Sequence, residues 1–433
     1  MSRFLHRASL LCLLAAPVAA HAQNIPGTEI SGPLVSITVT GSQRFSTDAI
    51  ISATGLHKGQ TVHRDDLQNA ADRLIQSGEF ASVNYRYQSQ PAGVELEFAV
   101  ADAKVVPAYF DNFPWFTDEE LSQSLRKAVP LYDGLLPENG AAVDEVADSL
   151  GKMLDSHRIG GTVTHRVLRS PDGDHPVQEF QLEGSELPVE AVFYTDQLAD
   201  EDKSVHQSLS QLIGRPFSRY AIDTFNFEQV RPLYESSGHL RVKVGEPAAR
   251  FTGDPTKVLN SSVTVIVPIE PGAVYKWTGA SWTGNDAIPA AVLNLLIGMI
   301  PGDLANGVKL GTAWVRVTDE YAHRGYLDAD IHPSLAFDDK DSTAKSVITV
   351  VEGPQYHMGA LVLSGLSLDG ERRIRAAWKI AQGDVFDQKY FDDFINGGAR
   401  AAFGTSPFTY SKIGHFLQKD PKEGKVDVLM DFE

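Results

Sequence analysis

The stretch HRGYLDADIHP places His323, Asp328, Asp330 and His332 within ten positions. Imidazoles and carboxylates together are a donor set for a divalent cation. On a strand, Asp328, Asp330 and His332 share a face only by alternation, and no second cluster completes a coordination sphere. Solvated polar side chains are therefore expected, and no metal. SPDGDHP, from Ser170, has the carboxylates of a calcium loop without its remaining ligands and reads as a hairpin turn. Trp277, Trp282, Trp314 and Trp378 could stack on a sugar, but core or interdomain packing is the stronger reading. HExxH, GxSxG, P-loop and GxGxxG motifs are all missing. No catalytic residue and no cofactor is expected.

The elements around these residues carry more information. GQTVHRDDL begins with Gly59, has a hydrophobe three positions on (Val62), a cap candidate at the fourth (His63) and a hydrophobe at the eighth (Leu67). The template recurs with Gly214, Phe217, Ser218 and Ile222, with Gly302, Ala305, Asn306 and Leu310, and with Gly383, Phe386, Asp387 and Phe391. Midway in the one long gap lies a further copy, Gly140, Val143 and Asp144, with Asp148 in place of the last hydrophobe. Five copies at intervals of 74 to 88 residues nearly account for the chain.

Each copy has the grammar of a capped helix. The fourth residue accepts from an orphan N–H, and the flanking hydrophobes hold the entry against a core. In the first copy Leu67, Ala70, Ala71, Leu74 and Ile75 form the buried stripe, and Gly78 ends it. Gly160, Gly238 and Gly325 are expected to end the next three, and Gly404 is the best match in the fifth, where Gly397 and Gly398 weaken the helix.

Around the first copy, LVSITVTG, ASVNYRY and GVELEFAV alternate with period two, which means strands with one covered face. STDAIISATGL reads as a short capped helix ending at Gly55, and TDEELSQSL as a capping box in the second copy. The unit is strand, helix, helix, strand, strand, so the fold class is α+β with two layers.

Arg3 and Arg7, the apolar run Ala8–Ala20 and Ala20-His21-Ala22 read as a secretory signal peptide cleaved after Ala22. Its removal takes away the only cysteine, Cys12, and moves the formal charge from −18 to −20. An exported chain without disulfides suggests a periplasm, and the acidic balance argues against nucleic acid as a partner. The apolar run IPAAVLNLLIGMIP is too short to span a bilayer, so no transmembrane segment is expected in the mature chain.

The Gly59–Val83 stretch, set between ITVTGSQRFSTDAI and GVELEFAV, resembles a polypeptide-transport-associated (POTRA) domain, and VVEGPQYHMGALVLSG resembles a joint between two such domains. Five tandem units resemble the periplasmic arm of the outer-membrane β-barrel assembly factor family. The boundaries are 1–22 for the leader, 23–33 for a linker, and 34–103, 104–186, 187–271, 272–354 and 355–433 for the units. The match is weak in the second unit.

The resemblance implies a non-enzymatic periplasmic protein, associated with the inner face of the outer membrane, whose partners are unfolded outer-membrane polypeptides, assembly-machinery proteins or an outer-membrane barrel protein. Family members continue into a barrel, and here the chain stops at Glu433. A three-stranded sheet has open edges to which an extended peptide can add. The resemblance implies that the middle strand in sequence is the usable edge. The candidates are then Val83, Tyr85 and Tyr87; Leu240, Val242 and Val244; and Leu327, Ala329 and Ile331. Two other readings remain: the arm of a split or truncated assembly factor, and a periplasmic enzyme acting at an interdomain cleft.

Overall fold

The computed structural model describes residues 21–22, 31–252, 261–404 and 410–433. Most of the expected leader and linker lies outside them. The chain divides into two compact units, Met1–Phe227 with Gly245–Pro268 and Glu228–Val244 with Ile269–Glu433.

In the first unit, β1 (Ser31–Thr40), α1 (Thr47–Thr54), α2 (Arg64–Gln76), β2 (Phe80–Gln90) and β3 (Gly93–Asp102) follow in order. Strand β3 lies in the centre, parallel to β1 and antiparallel to β2. A strand inserted between its two predecessors leaves β2 at an edge. The local causes match the sequence reading. Ser46 Oγ accepts from Ala49 N at 3.2 Å, and Gly55 closes α1 at φ 70°. Leu67, Ala70, Ala71 and Leu74 have no exposed surface, and they meet Val83, Tyr85, Val94, Leu96 and Phe98 in one core.

The pattern repeats with β4 (Val106–Phe110), α3 (Asp118–Ala128), α4 (Ala141–Ser156), β5 (Thr162–Arg169) and β6 (Pro176–Glu183), where β6 is central. Thr117 and Glu120 form the expected capping box, at 3.2 and 2.9 Å. Ser170 to His175 close the β5–β6 hairpin through Ser170 N to His175 O at 2.7 Å. A third sheet has β7 (Val189–Tyr194), α5 (Lys203–Leu209), α6 (Arg219–Phe225), β8 (Ala248–Thr252) and central β9 (Ser262–Val267).

The second compact unit contains α7 (Arg231–Ser236), then β10 (Lys276–Thr283), α8 (Ala290–Ile297), α9 (Gly307–His323), β11 (Asp330–Asp338) and central β12 (Thr343–Val351). Its last sheet has β13 (His357–Ser364), α10 (Leu368–Ala377), α11 (Gln388–Asp393), β14 (Ile413–Asp420) and central β15 (Lys425–Phe432). After α11 the chain makes a π-turn over Phe394–Gly398 before resuming as Ala399–Phe403, which is where Gly397 and Gly398 were expected to weaken the helix. Among the described residues no helix is long and apolar enough to cross a membrane.

The repeat glycines Gly59, Gly140, Gly214, Gly302 and Gly383 all take positive φ, between 76° and 128°. Ser218, Asn306 and Asp387 cap their helices as expected, accepting from Ala221 N, Lys309 N and Tyr390 N at 3.1, 2.8 and 3.1 Å. His63 opens α2 in a capping box with Asp66. Gly78, Gly238 and Gly325 take φ of 82°, 90° and 83°.

Two expectations fail in the second copy. Asp144 does not cap α4. The helix starts four residues earlier, capped at Gly140, because Gly140 packs against Ser77 and Ala142 N donates to Ser77 O at 3.1 Å; Asp144, within the first turn, pairs with His165 instead. Nor does Gly160 supply the left-handed exit. Arg158, at φ 61°, takes that conformation two residues sooner.

Candidate peptide-binding edges

The three expected edges fare differently. Val83, Tyr85 and Tyr87 all lie on β2, an edge strand of the three-stranded core. Val83 and Tyr85 point into the core, where the Tyr85 hydroxyl donates to Gln68 Oε1 at 3.0 Å. Burial raises the Tyr85 phenol above its ordinary pKa. These side chains fix the strand, so a guest would read its backbone. The intervening Asn84 and Arg86 face outward, and Arg86 Nε donates to Glu97 Oε2 at 2.8 Å. Asn84, Tyr85, Arg86, Glu97 and Ala99 line a cleft of about 350 Å³. The edge is open to pairing: residues His21–Ala22 add to it in parallel, opposite Asn84 and Tyr85.

Leu240, Val242 and Val244 do not form the edge of the third sheet, which is β8. Leu240 and Val242 lie in a turn, and Val244 pairs with Ile269 in a separate two-stranded ribbon. The alternation there serves the joint, since Leu240 packs against the core containing Tyr275 and Trp277. Leu327 and Ala329 precede β11, and only Ile331 lies on it. Asp328 is tied to the Tyr356 hydroxyl and to Lys419, which holds residues 327–329 as a turn ahead of the strand.

Strand β11 is nevertheless an edge, bordered by a groove that alternation did not reveal. Its about 410 Å³ lies between Leu310, Gly311 and Trp314 of α9 and Pro333, Leu335 and Phe337 of β11. At Gly311 a Cβ would meet nothing within 4 Å. Arg241 stacks over Phe337 at 4.0 Å and reaches Asp339 at 3.0 Å, closing one end. The hint in the sequence was the glycine pair Gly307 and Gly311, one helical turn apart.

Of the residues that suggested chemistry, His323 Nδ1 lies 2.6 Å from Asp387 Oδ1, and His332 Nε2 lies 3.3 Å from Asp330. Among the described residues no group of three or more His, Cys, Asp and Glu is placed to hold a metal ion. Trp277 is buried and donates to Ser346 Oγ at 3.1 Å, and Trp282 packs edge-on against Trp314. A polar cluster that the sequence did not signal surrounds Arg219. This guanidinium meets Asp118, Glu246 at 3.1 Å and Asp223 at 3.5 Å. Burial pushes the Asp118 carboxyl up to about 6.

Residues 275–353, which contain β10 to β12, match the family model POTRA, described as a surface antigen variable number repeat. This segment is similar to a POTRA domain. A putative outer membrane protein assembly factor of Treponema pallidum (strain Nichols) is 24% identical over 204 residues, 47% of this chain and 24% of that protein. The chain thus spans about a quarter of that relative's length. Among solved structures, POTRA domains 3–5 of Haemophilus influenzae BamA align at a TM-score of 0.41 and 15% identity, over 57% of this chain and 96% of theirs. The N-terminal domain of Omp85 from Thermosynechococcus elongatus aligns at 0.18 and 13%, over 75% and 98%. The matched residues 275–353 include the β11 edge and the α9 and β11 walls of the groove, while Arg241 at its end lies outside them.

Proposed function

We propose that the chain is a non-enzymatic binding arm of five POTRA-like units, over 34–103, 104–186, 187–271, 272–354 and 355–433. It is exported by the leader at 1–22 and receives outer-membrane polypeptides or assembly-machinery proteins in the periplasm. Capture is by strand addition, in which main-chain hydrogen bonds hold guests of unrelated sequence. The observation that carries this reading is β2, an edge strand that accepts a short segment in parallel at Asn84 and Tyr85; that segment, His21–Ala22, closes the expected leader, so its removal would leave the edge open to a guest. The POTRA match and the relative described as an assembly factor support the setting.

The mature chain would have no cysteine, so a single Asn84→Cys variant is a clean probe. An unfolded outer-membrane barrel polypeptide carrying one cysteine should form a disulfide with Asn84→Cys far more than with Asp72→Cys on α2. Equal yields at the two positions would sink the proposal.

A further inference from the structure

The outer face of each sheet, opposite its helices, can be compared across the repeats because the strand registers align. The middle row reads Thr38, Glu97, Arg86 in the first sheet and Tyr109, Glu179, Arg166 in the second. It reads Phe193, Ile266, Ala248 in the third and Ser281, Val347, Ser334 in the fourth. In the last it is Val362, Leu429, Phe416. There all three strands contribute a large apolar side chain, with Phe416 63% and Val362 46% exposed. Such a row on a solvated face calls for a partner.

Two features narrow what that partner is. On β15 the same-face neighbours of Leu429 are Asp427 and Asp431, one on either side. Their positions are fixed by neutral donors, Ala360 N and Ser364 Oγ, each at 2.6 Å. The apolar third row has Thr264 in the place of Asp427. In the second sheet one aromatic member of the row, Tyr109, is covered by a helix within the molecule. Tyr220 of α6 packs edge-on against Tyr109 with ring centroids 6.1 Å apart, and Asp223 of the same helix accepts from the Tyr109 hydroxyl at 2.7 Å.

We propose that the outer face of the last sheet docks an amphipathic helix of a partner protein, one whose aliphatic stripe is flanked by lysine or arginine. The stripe would lie along Val362, Leu429 and Phe416, and the cations would meet Asp427 and Asp431. The flanking carboxylates disfavour an acidic partner and an anionic lipid surface. This site uses side chains on a sheet face and is independent of strand addition at β2.

The test uses the full mature chain and a fluorescein-labelled synthetic helix of about five turns. The helix carries leucines at i, i+3, i+4 and i+7 with flanking lysines; a second peptide has glutamate in place of every lysine. The lysine peptide should bind saturably, weaken with added salt, and bind at least about tenfold more tightly than the glutamate peptide. Phe416→Ser should lower that affinity by at least about tenfold while leaving the circular dichroism and the Asn84→Cys crosslink unchanged. Asp431→Lys should narrow the preference between the peptides. Equal binding of the two peptides, or no effect of Phe416→Ser on a folded chain, overturns the proposal. So does sedimentation showing a dimer that Phe416→Ser dissociates, because the face would then belong to a second copy.

Discussion

Arg44 Nη1 lies 2.7 Å from Glu79 Oε2, and the Glu79 side chain has no exposed surface. The same guanidinium reaches Asp133 at 2.8 Å and Leu135 O at 3.1 Å, so one arginine joins the first repeat to the second. Burial outweighs the arginine and pushes the Glu79 carboxyl up to about 7 from 4.5.

A raised carboxyl favours the folded chain most at low pH. The contribution of Glu79 is complete below about 4.5 and is lost as pH rises through about 7, on the order of 3 kcal/mol in all. The difference in urea unfolding between wild type and Glu79→Gln, measured across that window, should change by this amount and then level off. A flat difference would show that Glu79 titrates at its ordinary value.

Gly325 does more than end α9. Its carbonyl accepts from Tyr356 N at 2.8 Å, and a Cβ there would come within 2.8 Å of Tyr356 O. Gly302, at φ 102°, has open space around it. Both alanine variants should be destabilised by backbone strain of about 1 kcal/mol, and Gly325→Ala should cost about 1–3 kcal/mol more. Equal losses in denaturant titration would deny Gly325 a role in docking the next repeat.

Ser218 caps α6 and also donates to Asp111 Oδ1 at 2.8 Å, a carboxylate almost wholly buried. Asn306 is a cap without a buried carboxylate to satisfy; its amide nitrogen donates to Ser236 O. Loss of a cap costs about 1 kcal/mol, and a buried acceptor that loses a donor costs about 1–3 kcal/mol. Ser218→Ala should therefore destabilise the chain more than Asn306→Ala. Thermal or chemical unfolding of the two variants gives the comparison directly.

At Gly311 a side chain would enter the groove beside β11 without meeting an atom. Gly311→Ala should raise stability by up to about 1 kcal/mol through helix propensity. Gly311→Phe should fold and fill the groove. If β11 holds guest peptides through that groove, a peptide that crosslinks at Leu335→Cys will fail to do so in the Gly311→Phe background. Undiminished crosslinking would place guests elsewhere.

Much of the repeat was legible along the chain because its signals are local. Ser218, Asn306 and Asp387 act on backbone groups a few residues away, and the Leu67 to Leu74 stripe follows from helical period alone. The same logic placed Val83, Tyr85 and Tyr87 on a strand. It failed at Asp144 and Gly160, where contact with Ser77 set the helix start and Arg158 took the turn.

The strand-helix-helix-strand-strand order, the acidic balance and the caps at Ser218, Asn306 and Asp387 were determined by the sequence alone. Tertiary structure decided which strands are edges, that Leu240 and Leu327 pack against cores outside any edge strand, and that Val362, Leu429 and Phe416 share one face. An edge exists only relative to neighbouring strands, and those three residues are separated by up to 67 positions. Alternation tells which residues of a strand share a face, but the neighbour across the ladder is chosen by pairing between distant segments.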